Sequence, residues 1–286
     1  MDGGPSASPP TSAPADKVVA VATERQERKA RVFVDLHAGE PFVIPNPFDV
    51  GSARMLEAFG FKALATTSSG FAFTLGRLDG AATLEEVIAH TAALDRATEL
   101  PISVDLENGY GPTPEDAAAA ITGVAAAGAV GGSIEDYDRD GGLYERAHAV
   151  ERIAAAAEAA RRLAFPFALT ARAENHIRGN PDLDDTITRL RAYEEAGADV
   201  LYAPGLRTVE EIRAVCTAVS KPVNVLARPN LSVAQIFEAG AQRVSVGGSL
   251  TWVAVSAMAD AAVAIRDRGD LSALSAQPPL NDWFAG

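Results

Sequence analysis

The chain has one cysteine, Cys216, in 286 residues. A single thiol excludes a disulfide framework or a thiolate metal site within one chain. In the helix-like stretch 211–216 it reads as a small buried hydrophobe, and such economy fits a reducing compartment, so the cytoplasm is the expected location. Basic residues are scarce as well. There are 25 Lys and Arg against 38 Asp and Glu, which gives a net charge of −13 and a pI near 4.8. That sign argues against a nucleic-acid or anionic-membrane partner, because phosphate binding needs a cationic surface. No apolar run is read as approaching the ~20 residues of a membrane span, and the N-terminus lacks the charged start and apolar core of a secretory signal. Neither a Walker loop nor a GxGxxG fingerprint is present.

What is present begins with apolar residues, 48% of the chain, enough for one large core or two small ones. Residues 1–25 are mostly Pro, Ser, Ala and Gly and are expected to be a disordered tail. The charged stretch 24–31 reads as a first helix covering one end of the domain that fills residues 26–286. From residue 41 short apolar runs recur at 42–45, 63–66, 102–104, 131–134, 167–170, 199–202, 222–225 and 243–246. Ala/Leu/Glu-rich stretches of helical spacing lie between them. Thr83 with Glu86 fits a capping box, and Thr113-Pro114 opens another helix. Several helices end in a glycine, as at Gly128 and Gly197. Eight strand–helix repeats predict an α/β fold, a (β/α)8 TIM barrel, ahead of a doubly wound open sheet.

A barrel carries its chemistry at the C-terminal ends of its strands. Those positions hold Asn46 and Asp49, then Ser69 and Gly70 with Asp79 beyond, then Asp105 and Glu107, Glu135, Arg172 with Glu174, Asn224, and Gly247. Asn46, Asp49 and Asn224 are expected to contact the substrate, as is Gly247, which follows the eighth strand where barrels often bind phosphate or carboxylate. A DxE pair alone is usually two solvated loop acids. Four acids at one barrel mouth, Asp79, Asp105, Glu107 and Glu135, instead predict a hydrated divalent ion. With oxygen donors and no histidine, Mg²⁺ is favoured, with Mn²⁺ as the alternative. Arg172 is suited to bidentate capture of a carboxylate or phosphonate. Ser69 and the Gly70 backbone can donate to a second carboxylate oxygen. Metal, arginine and hydroxyl together make a receptor for a 2-oxo acid and its enolate.

The segment Asp105-Leu106-Glu107-Asn108-Gly109-Tyr110-Gly111 resembles the metal-binding segment of the isocitrate lyase/phosphoenolpyruvate mutase superfamily, and the resemblance covers roughly residues 30–265. It includes Pro45-Asn46-Pro47-Phe48-Asp49, Thr67-Ser68-Ser69-Gly70, Gly76-Arg77-Leu78-Asp79, Ser133-Ile134-Glu135-Asp136 and Thr170-Ala171-Arg172-Ala173. The resemblance implies a barrel whose last helix is exchanged between subunits of a homodimer or homotetramer. It implies Mg²⁺ held directly by Asp105 and through waters by Asp79, Glu107 and Glu135, with Ser69, Gly70 and Arg172 binding a 2-oxo acid.

The departures narrow this. The loop after the fourth strand, from Asp136 to Arg146, lacks the Lys-Cys-Gly-His motif of the superfamily's lyases. It also lacks the lysine and asparagine of its phosphonomutases and phosphonopyruvate hydrolases. The sequence looks most like the phosphonomutase-like branch. Remaining acid/base candidates are Tyr137, Tyr144, Glu145, His148, Glu174, His176 and Tyr202, with Tyr137 and Glu145 on the expected lid. The expected function is a Mg-dependent C–C lyase acting on a small 2-oxo or 2-hydroxy carboxylate through an enolate. The alternatives are P–C chemistry on a phosphonate such as phosphonopyruvate, and a non-catalytic keto-acid-binding barrel.

Overall fold

The computed structural model describes residues 23–284. Eight parallel strands form one sheet: β1 Phe42–Ile44, β2 Leu64–Ala65, β3 Ile102–Asp105, β4 Gly131–Glu135, β5 Ala168–Arg172, β6 Val200–Tyr202, β7 Val223–Leu226 and β8 Arg243–Ser245. Their order is β1-β8-β7-β6-β5-β4-β3-β2. The two ends of that order are joined by one backbone bond, Ala65 N–H to the Pro45 carbonyl at 3.0 Å. The barrel is thus nearly closed, and all eight expected strands are present.

The helices that follow the strands are built as their capping signals require. Thr83 and Glu86 form a reciprocal capping box on α4 (Leu84–Ala97), and Thr113 caps α5 (Pro114–Ala126) with proline in its first turn. Gly128 and Gly197 both adopt φ +105°, the left-handed turn in which a side chain would be strained. The first helix, α1 (Glu24–Ala38), begins at an N-cap by Thr23, so the expected tail ends earlier than residue 25; residues 1–22 lie outside the described residues. Helix α1 closes the N-terminal end of the barrel, as its sequence suggested. Phe33 is fully buried there against Gly131, where a Cβ would lie 2.6 Å from the ring.

Two features were not foreseen. Residues Tyr137–Asp138 and Gly142–Leu143 pair as a short antiparallel ribbon after β4. The last barrel helix, α10 (Ser249–Arg268), is long and apolar enough to cross a membrane by length and composition, which corrects the reading that no run approaches that length. Small residues and Asp260 interrupt its apolar pattern in the sequence. Within the chain α10 buries only Thr251 and Ala264, leaving Trp252, Val253 and Met258 exposed.

Candidate active site

Strand β3 ends at Asp105, whose backbone N–H donates to Thr66 Oγ1 at 2.8 Å. Its Oδ2 accepts from Ser68 N–H at 3.2 Å, at the start of α3 (Ser68–Thr74). The chain then turns sharply, with Glu107 at φ +47° and Tyr110 at φ +62°. Two non-glycine residues in the left-handed region store about 1–3 kcal/mol each, so something must hold them. Arg152, 1% exposed on α6 (Arg146–Arg161), donates to the carbonyls of Asn108 and Gly111. Asn108 Oδ1 in turn accepts from Tyr110 N–H at 3.1 Å.

Arg172, at the end of β5, is surrounded by acids. Its Nη1 donates to Asp105 Oδ1 at 2.8 Å, its Nη2 lies 2.8 Å from both Glu135 and Glu174, and its Nε donates to Glu174 at 3.2 Å. One guanidinium does not neutralise so many carboxylates. Burial pushes Glu135 up to about 8, and the charges of Glu174 and Asp105 add to that against the opposing pull of Arg172. Burial likewise pushes Glu107 up to about 7, reinforced by Asp105 and Asp79. Burial disfavours the charge of Arg172 too, but Glu135, Glu174 and Asp105 outweigh it and raise its pKa further.

A cavity of about 540 Å³ opens over this cluster. Asp79, Glu107, Glu135, Tyr137 and Arg172 all line it, so five of the residues expected at the site share one space. Asp105 sits against its wall through Arg172. Among the described residues no three Asp, Glu, His or Cys side chains come together closely enough to hold a metal ion by themselves. A preformed cage of carboxylates is therefore absent. The donor chemistry nevertheless fits a hydrated divalent cation: every donor is a hard oxygen, and burial disfavours the charged forms of Glu107 and Glu135, which a cation beside them would favour.

Other expected site residues have different work. Asn46 donates from Nδ2 to the Thr66 carbonyl at 2.9 Å, and its Oδ1 accepts from Val246 and Gly247 N–H, each at 2.9 Å. It straps β1, β2 and β8 together where strand pairing stops, and it takes up the Gly247 N–H that was expected to meet an anion. Asp49 caps α2 (Val50–Ala58) in a capping box with Ser52. Asn224 lies inside the barrel, two residues short of the end of β7, bonded to Arg243 Nε at 2.8 Å and Ser245 Oγ at 3.0 Å. Glu145 is exposed at the N-cap of α6 and does not line the cavity. Glu174 is fully buried with both oxygens committed, one to Arg172 and one to Arg178, which makes it a positioning residue and not a free acid or base. Ser69 Oγ lies 3.2 Å from Thr67 Oγ1, and Gly70 N–H donates to the same hydroxyl at 3.3 Å. Neither lines the cavity; Ser68, their neighbour, does.

The remaining acid/base candidates are also engaged. Tyr144 donates to Asp138, His148 bonds the Pro112 carbonyl, and His176 bonds Thr186. Tyr202 lies beneath Arg172, with the guanidinium carbon 5.3 Å from its ring centre. Sequence reasoning missed Arg139, Arg178 and Tyr110, all on the cavity wall. Arg178 carried one signal, its i,i+4 spacing from Glu174, with which it pairs at 3.0 Å.

This fold recurs in known proteins. A model of the phosphoenolpyruvate phosphomutase family matches residues 33–266. Uncharacterized protein Rv1998c of Mycobacterium tuberculosis is 36% identical over 238 residues, covering 82% of this chain and 89% of that protein. The protein named Probable 2-methylisocitrate lyase 2 of Corynebacterium glutamicum is 30% identical over 206 residues, covering 69% of this chain and 66% of its own. A crystal structure from Burkholderia cenocepacia J2315, provisionally assigned as a lyase/mutase, superposes with a TM-score of 0.89 at 48% identity over 92% of this chain and 98% of that one. With the acid cluster at the strand ends and a family match across the whole barrel, the chain belongs to the phosphoenolpyruvate phosphomutase family, within the isocitrate lyase/PEP mutase superfamily of lyases, mutases and hydrolases.

Proposed function

We propose that the chain is a Mg²⁺-dependent lyase that breaks a C–C bond in a small 2-oxo or 2-hydroxy carboxylate through an enolate. The observation that carries this reading is Arg172 gathered with Asp105 and Glu135 beneath one cavity at the barrel mouth. Magnesium, when bound by Asp105 with Asp79, Glu107 and Glu135 around it, supplies Lewis-acid stabilisation of developing negative charge. The rest falls to the side chains. Arg172 binds the substrate carboxylate, and Glu174 fixes the plane of its guanidinium by bonds at 3.2 and 2.8 Å. Ser68, in the N-terminal turn of α3, supplies a hydroxyl donor on the wall. Two phenols line the wall; Tyr110 donates to Glu107, and Tyr137, on the ribbon, is the one suited to hand a proton to the enolate carbon. The ribbon limits the entry of water over the site.

The relative named as a 2-methylisocitrate lyase supports C–C chemistry. A second reading, P–C chemistry on a phosphonate, is favoured by one observation: three arginines line the cavity. A mass-spectrometric turnover screen with Mg²⁺ over oxaloacetate, methylisocitrate, malate-type acids and phosphonopyruvate separates the two. Turnover of carboxylates alone supports the lyase, turnover of phosphonopyruvate alone refutes it, and turnover of neither refutes both. We further propose that the exposed apolar face of α10 is covered by a second copy of the chain in a homo-oligomer.

A further inference from the structure

Among the described residues, Arg139, Arg172 and Arg178 are the cationic side chains on the cavity wall. They are not equivalent. Arg172 is 12% exposed, and each of its nitrogens already meets a carboxylate. Arg178 is 37% exposed yet tightly held. Its Nε and Nη2 lie 3.1 and 3.0 Å from Glu174 Oε2, and its guanidinium carbon lies 3.9 Å from the ring centre of Tyr137. Its loop is pinned from inside by Asn175, whose Nδ2 bonds the carbonyls of Asn180 and Asp182 and the Thr186 hydroxyl at 3.2, 3.1 and 2.8 Å. A solvated surface arginine has no such framework. Arg178 has already lost most of the rotamer freedom that binding a ligand would cost. Arg139 reaches over from the ribbon turn to Gly80, where a Cβ would fall 1.7 Å from its guanidinium. Gly80 therefore leaves the room in which Arg139 lies.

We propose that Arg178, assisted by Arg139, anchors a second carboxylate of the substrate and so selects 2-oxo or 2-hydroxy dicarboxylates over monocarboxylates. The inference rests on the reading of the cavity as a 2-oxo-acid site with Arg172 at the head group. A planar guanidinium matches a carboxylate through paired N–H donors. A phosphonate fits the same fork but carries up to two charges. Glu174, 3.0 Å from Arg178 and shared with Arg172, already offsets part of its field, so the singly charged group is the better complement.

The test is calorimetric titration of the full chain in Mg²⁺ with three probes. Oxalate, whose two carboxylates stand in for the carboxylate and enolate oxygens of the head group, reports the head site; 3,3-difluorooxaloacetate carries a further carboxylate beyond that head, and phosphonopyruvate a phosphonate. Arg178→Met is expected to leave oxalate affinity within about twofold and to weaken the difluoro acid by roughly tenfold or more, the scale of one charge-assisted hydrogen bond. Arg178→Lys recovers part of that loss, and Arg139→Gln, a change at an exposed turn, weakens the difluoro acid by a smaller factor. Equal loss of both carboxylate probes in Arg178→Met, or loss of neither, overturns the proposal, as does tighter binding of phosphonopyruvate than of the difluoro acid to the unaltered chain. If the unaltered chain binds oxalate and not the difluoro acid, this inference alone fails. If it binds no probe, the proposed function fails with it.

Discussion

Replacing Asn46 by alanine separates a strap from a substrate contact. The side chain is 5% exposed and makes three hydrogen bonds to backbone across the one place where barrel strands do not pair. A hydrogen bond contributes about 0.5–1.5 kcal/mol net, and a buried partner left unpaired costs about 1–3 kcal/mol. Thr66 is buried, while Val246 and Gly247 are half-buried, so water can reach two of the three orphaned groups. The lower part of the range then applies, and the expected loss is about 3 kcal/mol. For a chain of this size that is a fall in Tm of roughly 6–12 °C. Asn46→Asp keeps the acceptor for Val246 and Gly247 but turns the donor facing the Thr66 carbonyl into a second acceptor, so a similar or smaller loss is expected. Differential scanning calorimetry gives the Tm, and titration with oxalate in Mg²⁺, well below it, gives the affinity of the folded protein. Affinity should stay within about twofold in both variants. A Tm change under about 2 °C together with a tenfold loss of affinity would refute the strap and restore the substrate contact suggested by the sequence.

Three further outcomes follow from the same geometry. Glu135 and Glu107 have folded-state pKa values raised from 4.5 to about 8 and about 7. The native state therefore binds more protons than the unfolded chain between about pH 4.5 and 8, and metal-free stability should fall as pH rises through that window; urea midpoints at pH 5.5 and 8 check this, and a flat or rising profile contradicts it. Charged substitutions on the exposed face of α10, Val253→Glu with Met258→Glu, should shift the light-scattering mass to that of one chain while the far-ultraviolet circular dichroism is retained; an unchanged mass refutes the interface. Glu145→Gln should alter turnover of any substrate found in the screen by less than about twofold and stability by less than about 0.5 kcal/mol, because Glu145 is exposed at a helix N-cap outside the cavity.

The barrel was legible because its signals are local and repeated. Short apolar runs, glycines at helix ends and Thr-x-x-Glu caps each mark a boundary without reference to the rest of the chain. The acids were legible because strand ends of a barrel face one mouth, so Asp105, Glu107 and Glu135 had to be neighbours once the strands were placed. Depth was not legible. Asn224 sits on a strand like Asp105, but two residues short of its end, and it is spent on the internal partners Arg243 and Ser245. Asn46 stands at a strand end, yet the missing β1–β2 ladder claims its amide, and an unpaired seam leaves no mark in composition. The segment after Glu135 read as a lid carrying both Tyr137 and Glu145, whereas part of it pairs as a ribbon and Glu145 stands at the start of α6. Arg178 lies in a loop without periodicity, and its orientation depends on the buried Asn175 beneath it.

The central claim is that Asp105 and its neighbouring acids hold a divalent cation that receives a 2-oxo-acid head group. Thermal melting with Mg²⁺ and oxalate, against either alone, tests it in the unaltered chain and in Asp105→Ala. At about 100 times the dissociation constant a ligand stabilises by about 2.7 kcal/mol, so the unaltered chain should gain roughly 5–10 °C with both together and far less with oxalate alone, and Asp105→Ala should lose that gain. Oxalate-dependent stabilisation that persists undiminished in Asp105→Ala would contradict the account.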